Sequence, residues 1–89
     1  MSGPFRPAWA VPPGEFLAEE LAERGWSQAQ ARERLQWEPV VLERVLASDR
    51  AIDEALAADL SRTFGTSLMY WLNLQQMYDD WRRGGGKPG

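Results

Sequence analysis

The polar side chains of this chain that stand out by type and spacing are serine, glutamine and arginine residues, which bind ligands through hydrogen bonds. Ser27 and Gln28 stand at the start of one predicted short helix, Arg44 lies in the next, and Arg50 follows it. Serine, glutamine and arginine bind phosphates and read base edges through directed hydrogen bonds. The spacing predicts a nucleic-acid-binding surface if two neighbouring helices present these groups together.

The composition argues against catalysis and metal binding. The 89 residues include no histidine and no cysteine, so the commonest general base, the commonest metal ligand and any disulfide are excluded. We therefore predict no enzyme, no catalytic residue, no metal site and no cofactor. The sequence has no long apolar run and no signal peptide, which favours a cytoplasmic protein without a membrane partner. The net charge of −3 lacks the basic excess usual in DNA-binding domains.

Five helices must position these groups, and capping residues with apolar periodicity mark their ends. We predict an extended proline-containing arm over residues 1–12, a single helical domain over 13–83 and a flexible tail over 84–89. The predicted helices run from about Pro13 to Arg24, from Ser27 (with Gln30 as a capping box) to Leu35, from Glu38 and Pro39 to Asp49 and Arg50, from Asp53 to Gly65, and from Ser67 to about Arg83.

The second and third predicted helices, joined by the short turn Gln36-Trp37, have the lengths of a helix-turn-helix. This pattern is also found in helical bundles that do not bind DNA, so it is a weak signal by itself.

Several motifs add specificity. Val11-Pro12-Pro13-Gly14-Glu15-Phe16-Leu17, Gly25-Trp26-Ser27-Gln28-Ala29 and Arg50-Ala51-Ile52 are followed by Phe64-Gly65-Thr66-Ser67, Trp71-Leu72-Asn73-Leu74-Gln75 and Tyr78-Asp79. Together they resemble the HigA, or VapI, family of antitoxins. This resemblance implies an all-α, five-helix, lambda-repressor-like fold of the XRE type. It also implies two roles, which are binding and neutralising a RelE-like toxin nuclease, and repressing its own operon as a homodimer on operator DNA.

The chain departs from this family where DNA would be read. The family's Gly-Val-Ser turn becomes Gln36-Trp37-Glu38, in which Trp37 can fill the buried valine position. Of the residues that follow, only Arg44 is a typical reader of base edges. Between Trp26 and Arg50, four arginines are balanced by four carboxylates. The candidate DNA-binding residues are Ser27, Gln28, Glu38, Pro39, Val40, Glu43, Arg44 and Arg50.

We predict an antitoxin that acts by binding a toxin, with its DNA binding either retained or lost. The alternatives are a stand-alone helix-turn-helix regulator, and a helix-turn-helix protein that has lost DNA binding and acts through protein association. We predict that Leu74, Tyr78 and Trp81 on the last helix form a dimer interface, and that Trp71 lies in the core. The acidic first helix and the arm around Phe5 and Trp9 are candidate toxin-binding surfaces.

Overall fold

The computed structural model describes residues 11–85, and these form five α-helices. The predicted arm up to residue 10, with Phe5 and Trp9, and the tail from residue 86 lie outside the described residues. The predicted all-α, five-helix fold is confirmed. The helices are α1 (Pro13–Arg24), α2 (Gln28–Leu35), α3 (Pro39–Leu46), α4 (Glu54–Phe64) and α5 (Leu68–Asp80), and a wider helical turn, Trp81–Gly85, follows α5.

The helix ends follow the capping residues that the sequence shows. The side chains of Ser27, Asp53 and Ser67 each accept a hydrogen bond from the backbone N–H three residues later, at 3.2, 2.9 and 3.0 Å. Gly25 and Gly65 end α1 and α4 in the left-handed conformation, which costs glycine little because it has no Cβ. These caps satisfy backbone groups that each helix leaves unpaired.

One predicted helix end was wrong. The third helix ends at Leu46 rather than at Asp49 and Arg50, because Ser48 turns into the left-handed region at φ 64°. The N–H groups of Asp49 and Arg50 return to the carbonyl oxygen of Arg44, which closes the helix. The α-helical part of α5 ends at Asp80, and the helical backbone continues in a wider turn through Arg83, about where the sequence predicted its end, before Gly84 leaves the helical conformation at φ 90°.

One apolar core lies between the helices. α1 packs on α3 and α5, α4 packs on α5, and α2 packs on both α3 and α4. Trp71 is fully buried, as predicted, and its indole Nε1–H donates to the Thr66 hydroxyl at 2.7 Å. The largest other side chains that are fully buried are Leu17, Leu35, Leu42, Val45 and Leu60.

Gly14 allows α1 to approach the end of α3 closely. A Cβ at this position would lie 2.3 Å from the carbonyl oxygen of Val45 and 2.7 Å from that of Leu46. Both distances are far below van der Waals contact, so only glycine fits. The start of α1 thus sets the position of the last turn of α3.

Candidate nucleic-acid interface

The start of α2 offers hydrogen-bond donors to an anion. The Ser27 hydroxyl accepts from the Gln30 N–H, and the Ser27 N–H donates to Gln30 Oε1 at 2.9 Å, which is the predicted capping box. Gln28, the first residue of the helix, is exposed. The N–H groups of a first helical turn and the helix dipole favour negative charge. This end of α2 is therefore suited to a phosphate.

The turn between α2 and α3 keeps a left-handed residue without glycine. Gln36 has φ 61° and ψ 40°, and the N–H groups of Gln36 and Trp37 both bond to the carbonyl oxygen of Arg32. The family's glycine position is thus occupied by a residue for which this conformation is strained.

Trp37 holds the same turn against α4. Its side chain is buried, as predicted, and its indole Nε1–H donates to Asp59 Oδ2 at 2.8 Å. Asp59 also forms an ion pair with Arg62 at 3.1 Å. The Asp59 carboxylate is fixed on α4 by its ion pair with Arg62. The indole bond therefore holds Trp37, and with it the start of α3 two residues later, against α4.

α3 has one buried face and one exposed face. Leu42 and Val45 point into the core. The exposed residues of α3 and its C-cap follow helical spacing, and they are Pro39, Val40, Glu43, Arg44 and Ala47. Val40 is 50% exposed, which leaves an apolar side chain in water.

The start of α3 is poor in donors. Glu38 stands at the N-cap, but its carboxylate makes no capping hydrogen bond. Pro39 has no N–H, and the N–H groups of Val41 and Leu42 are used by the Glu38 carbonyl oxygen. A phosphate would meet the Glu38 carboxylate here rather than a row of free N–H groups.

The structure brings all eight predicted DNA-binding residues to the surface of α2, α3 and the turn that follows α3. Each is exposed, and they are Ser27, Gln28, Glu38, Pro39, Val40, Glu43, Arg44 and Arg50. We call these residues the helix-turn-helix face. It carries two arginines and two glutamates, so its charge is balanced, as the sequence indicates.

The predicted dimer residues differ in what they expose. Leu74 is only 8% exposed and belongs to the core of its own chain. Tyr78 stacks on Trp81 with ring centroids 6.1 Å apart, and the Arg82 guanidinium lies 5.3 Å from the Tyr78 ring. Trp81 is 39% exposed, so it has apolar surface left for a partner. Met69, Tyr70 and Met77 add further exposed apolar surface on α5.

The acidic face of α1 lies near the start of α5. Glu19 and Glu23 are exposed and Glu20 is half-buried. Burial raises the pKa of the Tyr70 hydroxyl above its ordinary value of 10.0, and the charges of Glu20 and Glu19 raise it further. The negative charges of α1 therefore act on the Tyr70 hydroxyl and favour its neutral form.

Sequence reasoning missed two groups of side chains. Trp26 packs on Phe64 at 5.6 Å between ring centroids, and the guanidinium groups of Arg24 and Arg34 lie 5.7 and 4.8 Å from the Trp26 ring. Gln75 bonds to the backbone of Ile52, 23 residues earlier. Trp26 and Gln75 both stand in motifs on which the family resemblance rests. Their presence there was the signal from which their structural roles could have been predicted.

Residues 11–85 contain no cluster of three carboxylates that could hold a metal ion. None of the helices within that range is both long enough and apolar enough to span a membrane.

Comparison with known proteins identifies relatives of the chain. No family model matches. A curated Dichelobacter nodosus protein, virulence-associated protein I, is 35% identical over 71 residues, which cover 79% of this chain and 66% of that protein. The chain therefore spans slightly less than two thirds of that relative.

Two solved structures are similar over nearly their whole length. A Coxiella burnetii addiction module antidote protein of the HigA family has a TM-score of 0.77 and 33% identity, covering 86% of this chain and 88% of the other. The Pseudomonas aeruginosa antitoxin HigA, solved with the higBA promoter, has a TM-score of 0.77 and 30% identity, with coverage of 86% and 88%. The predicted resemblance is confirmed, and so is the prediction of an antitoxin instead of an enzyme. The chain belongs to the HigA family of addiction-module antidote proteins, which are antitoxins.

Proposed function

We propose that this antitoxin binds operator DNA through the helix-turn-helix face and so represses its own operon. The observation that carries the proposal is the exposure of all eight face residues on α2, α3 and the following turn. The similar Pseudomonas aeruginosa HigA was solved with promoter DNA, which supports the same use of this fold.

The side chains of the face divide into base-reading and phosphate-binding groups. Arg44 is suited to a guanine edge through two hydrogen bonds, and Val40 to a thymine methyl group. Ser27, Gln28 and Arg50 are suited to phosphates. Glu38 and Glu43 oppose binding through repulsion of phosphate, so we expect an affinity below that usual for specific repressors.

Fluorescence anisotropy with labelled DNA from the region upstream of the gene tests this function. At low and moderate salt, the upstream duplex should bind more tightly than a random duplex, and the affinity should fall as salt rises. Arg44→Ala should weaken the upstream complex by about 1–3 kcal/mol. Arg24→Ala is the matched control, because it removes the same charge from an exposed position at the end of α1, outside both the helix-turn-helix face and the proposed dimer surface.

Glu43→Gln sharpens the same experiment. It removes a carboxylate from the exposed side of α3 and replaces it by an amide that can bond to adenine. We expect tighter binding, most clearly at low salt. If no variant and neither duplex binds at low salt, the DNA proposal fails, and a helix-turn-helix used only for protein association is left.

We propose that the partner to be neutralised is a RelE-like toxin nuclease in the cytoplasm. Nucleases that bind RNA are basic, and the exposed carboxylates of α1 offer opposite charge. Co-expression with the neighbouring reading frame tests the role. The antitoxin should relieve that product's toxicity, and charge reversal by Glu19→Lys with Glu23→Lys should reduce the relief while leaving DNA binding in place.

A neighbour that is not toxic, or toxicity that this protein does not relieve, would contradict the toxin proposal. A stand-alone regulator would then be the better description if upstream DNA is bound.

We also propose that the chain forms a homodimer through the outer part of α5 and the turn after it. The exposed Trp81, stacked on Tyr78, supports this placement. Leu74 lies mostly in the core of its own chain and would contribute to this surface only through its remaining 8% exposure. Sedimentation of Trp81→Ser should show a weaker dimer than wild type, whereas Val40→Ser, which removes an exposed apolar side chain on α3, should sediment as wild type does.

A further inference from the structure

The turn between α3 and α4 carries Arg50, and few bonds fix its position. The N–H groups of Ser48, Asp49 and Arg50 return to carbonyl oxygens of α3. The next backbone anchor is the Ile52 N–H, which donates to Gln75 Oε1 on α5 at 2.8 Å. The side chain of Ile52 is buried beside it.

The Gln75 amide is itself oriented by a second bond. Its Nε2–H donates to Asp79 Oδ1 at 2.9 Å, one helical turn further along α5. Because a carboxylate accepts and does not donate, it selects the amide nitrogen and leaves Oε1 to face Ile52. Both polar ends of Gln75 are thereby used.

A cavity lies beside one part of this turn, although the Ile52 side chain is buried in the core. The cavity has a volume of about 90 Å³, with lining from Gly14, Arg50, Gln75 and Tyr78 among others. Where this cavity lies, the hydrogen bond from Ile52 to Gln75 is the polar link between the turn and α5, and it acts together with the buried Ile52 side chain.

We infer that the Gln75–Asp79 pair is a positioning device that fixes the turn bearing Arg50 relative to α5. Gln75 and Asp79 act through the backbone of Ile52 and touch no DNA. The effect on DNA binding through Arg50 rests on the proposed function. The same pair links this turn to α5, the helix that carries the proposed dimer surface. This link explains why the Arg50-Ala51-Ile52 motif and the motifs around Gln75 and Asp79 occur together: they form one linked unit.

Amide hydrogen exchange tests the tether without any ligand. Loss of one hydrogen bond corresponds to roughly a two- to tenfold change in an opening equilibrium. Gln75→Ala should speed exchange of the Ile52 amide by about that factor. Gln76→Ala is a close control, because Gln76 makes the same kind of bond to Asp80 at 2.9 Å on the exposed side of α5. It should leave Ile52 exchange unchanged.

Exchanging the amide of Gln75 with the carboxylate of Asp79 tests whether the bond between them orients the group that faces Ile52. Gln75→Glu alone places two carboxylates together and should weaken the tether. Combining it with Asp79→Asn restores one amide donor and one carboxylate acceptor, and Ile52 protection should return. Unchanged Ile52 exchange in Gln75→Ala, or failure of the double substitution to restore it, overturns the inference.

DNA binding provides the second readout. If Gln75 positions Arg50, Gln75→Ala and Arg50→Ala should each lower the salt dependence of binding by about one phosphate contact, and the double variant should lose no more than either alone. Additive losses overturn the positioning role. If the wild type binds no DNA, the proposed function fails, while Ile52 exchange still decides whether the tether exists.

Discussion

The substitution Gly14→Ala tests whether the close approach of α1 to the end of α3 stabilises the fold. On an exposed helix, alanine is more stable than glycine by about 0.5–1 kcal/mol. At Gly14, however, the new Cβ would lie 2.3 Å from the Val45 carbonyl oxygen and 2.7 Å from that of Leu46. Both neighbours are backbone atoms, so no side-chain rotation relieves the clash and we expect the opposite sign.

The size of the effect follows from the displacement that is needed. An ordinary contact begins near 3.4 Å, so α1 and α3 must separate by about 1 Å at this point. The movement loosens the packing of Leu17 against α3. Overpacking costs about 1–3 kcal/mol, and a clash with two backbone atoms belongs at the upper end. After subtraction of about 1 kcal/mol for the helix preference of alanine, we expect a net loss of about 2 kcal/mol in the free energy of unfolding. For a domain of this size that lowers Tm by about 8–16 °C.

Urea unfolding followed by tryptophan fluorescence measures this loss. Gly25→Ala is the control, since Gly25 has φ +69° and nothing near its missing Cβ. It should lose about 1 kcal/mol through backbone strain alone. A Gly14→Ala protein that unfolds at the same urea concentration as wild type, or at a higher one, would refute the argument from close approach.

Three further predictions follow from backbone conformation, the turn and titration. Gln36→Gly and Ser48→Gly should each raise the free energy of unfolding by about 0.5–1 kcal/mol in urea titrations, because both residues have positive φ; a loss at both positions would contradict this. Trp37→Phe keeps an aromatic ring but deprives Asp59 of the indole donor, and should cost about 1–2 kcal/mol by the same measurement, against little change for Trp81→Phe. Burial, aided by the α1 glutamates, raises the pKa of Tyr70 above 10.0, so the stability linked to its neutral form is complete below pH 10 and is lost as the pH rises through the raised pKa. Tyr70→Phe should flatten this alkaline decline in Tm, and an identical decline would exclude Tyr70 as its source.

The helix starts could be predicted from sequence because each has a local chemical cause. Ser27, Asp53 and Ser67 cap their helices through their own side chains. Gly25 and Gly65 end helices through their own backbone freedom. Such features depend on residues a few positions apart, which a sequence displays directly.

The end of α3 could not be predicted in this way. Ser48 takes the left-handed conformation that usually marks glycine, and nothing in its residue type announces this. The turn is held from outside by the tether to Gln75 and by the approach of Gly14. These contacts join residues far apart in sequence, so they become visible only when the helices are packed.

The exposure of the candidate site residues could be predicted from caps and helix spacing, but the contacts that support them could not. Their role in DNA binding stays a prediction. The bond from Trp37 to Asp59 spans 22 residues and had no sequence signal. Apolar spacing on α5 also did not show that Leu74 lies mostly in the core of its own chain, and its part in a dimer stays a prediction.

The two faces of α3 explain how this chain keeps the fold while its DNA-facing residues change. Leu42 and Val45 bury one face, whereas Glu43 and Arg44 lie on the other and contribute nothing to the core. A carboxylate on the exposed face therefore costs little folding energy, although it opposes phosphate at every DNA contact. The missing turn glycine is offset similarly, because the buried Trp37 and its bond to Asp59 fix the turn by other means. The fold is thus independent of the charge on the exposed face, and under the proposed function that charge sets the affinity for DNA, most strongly at low salt.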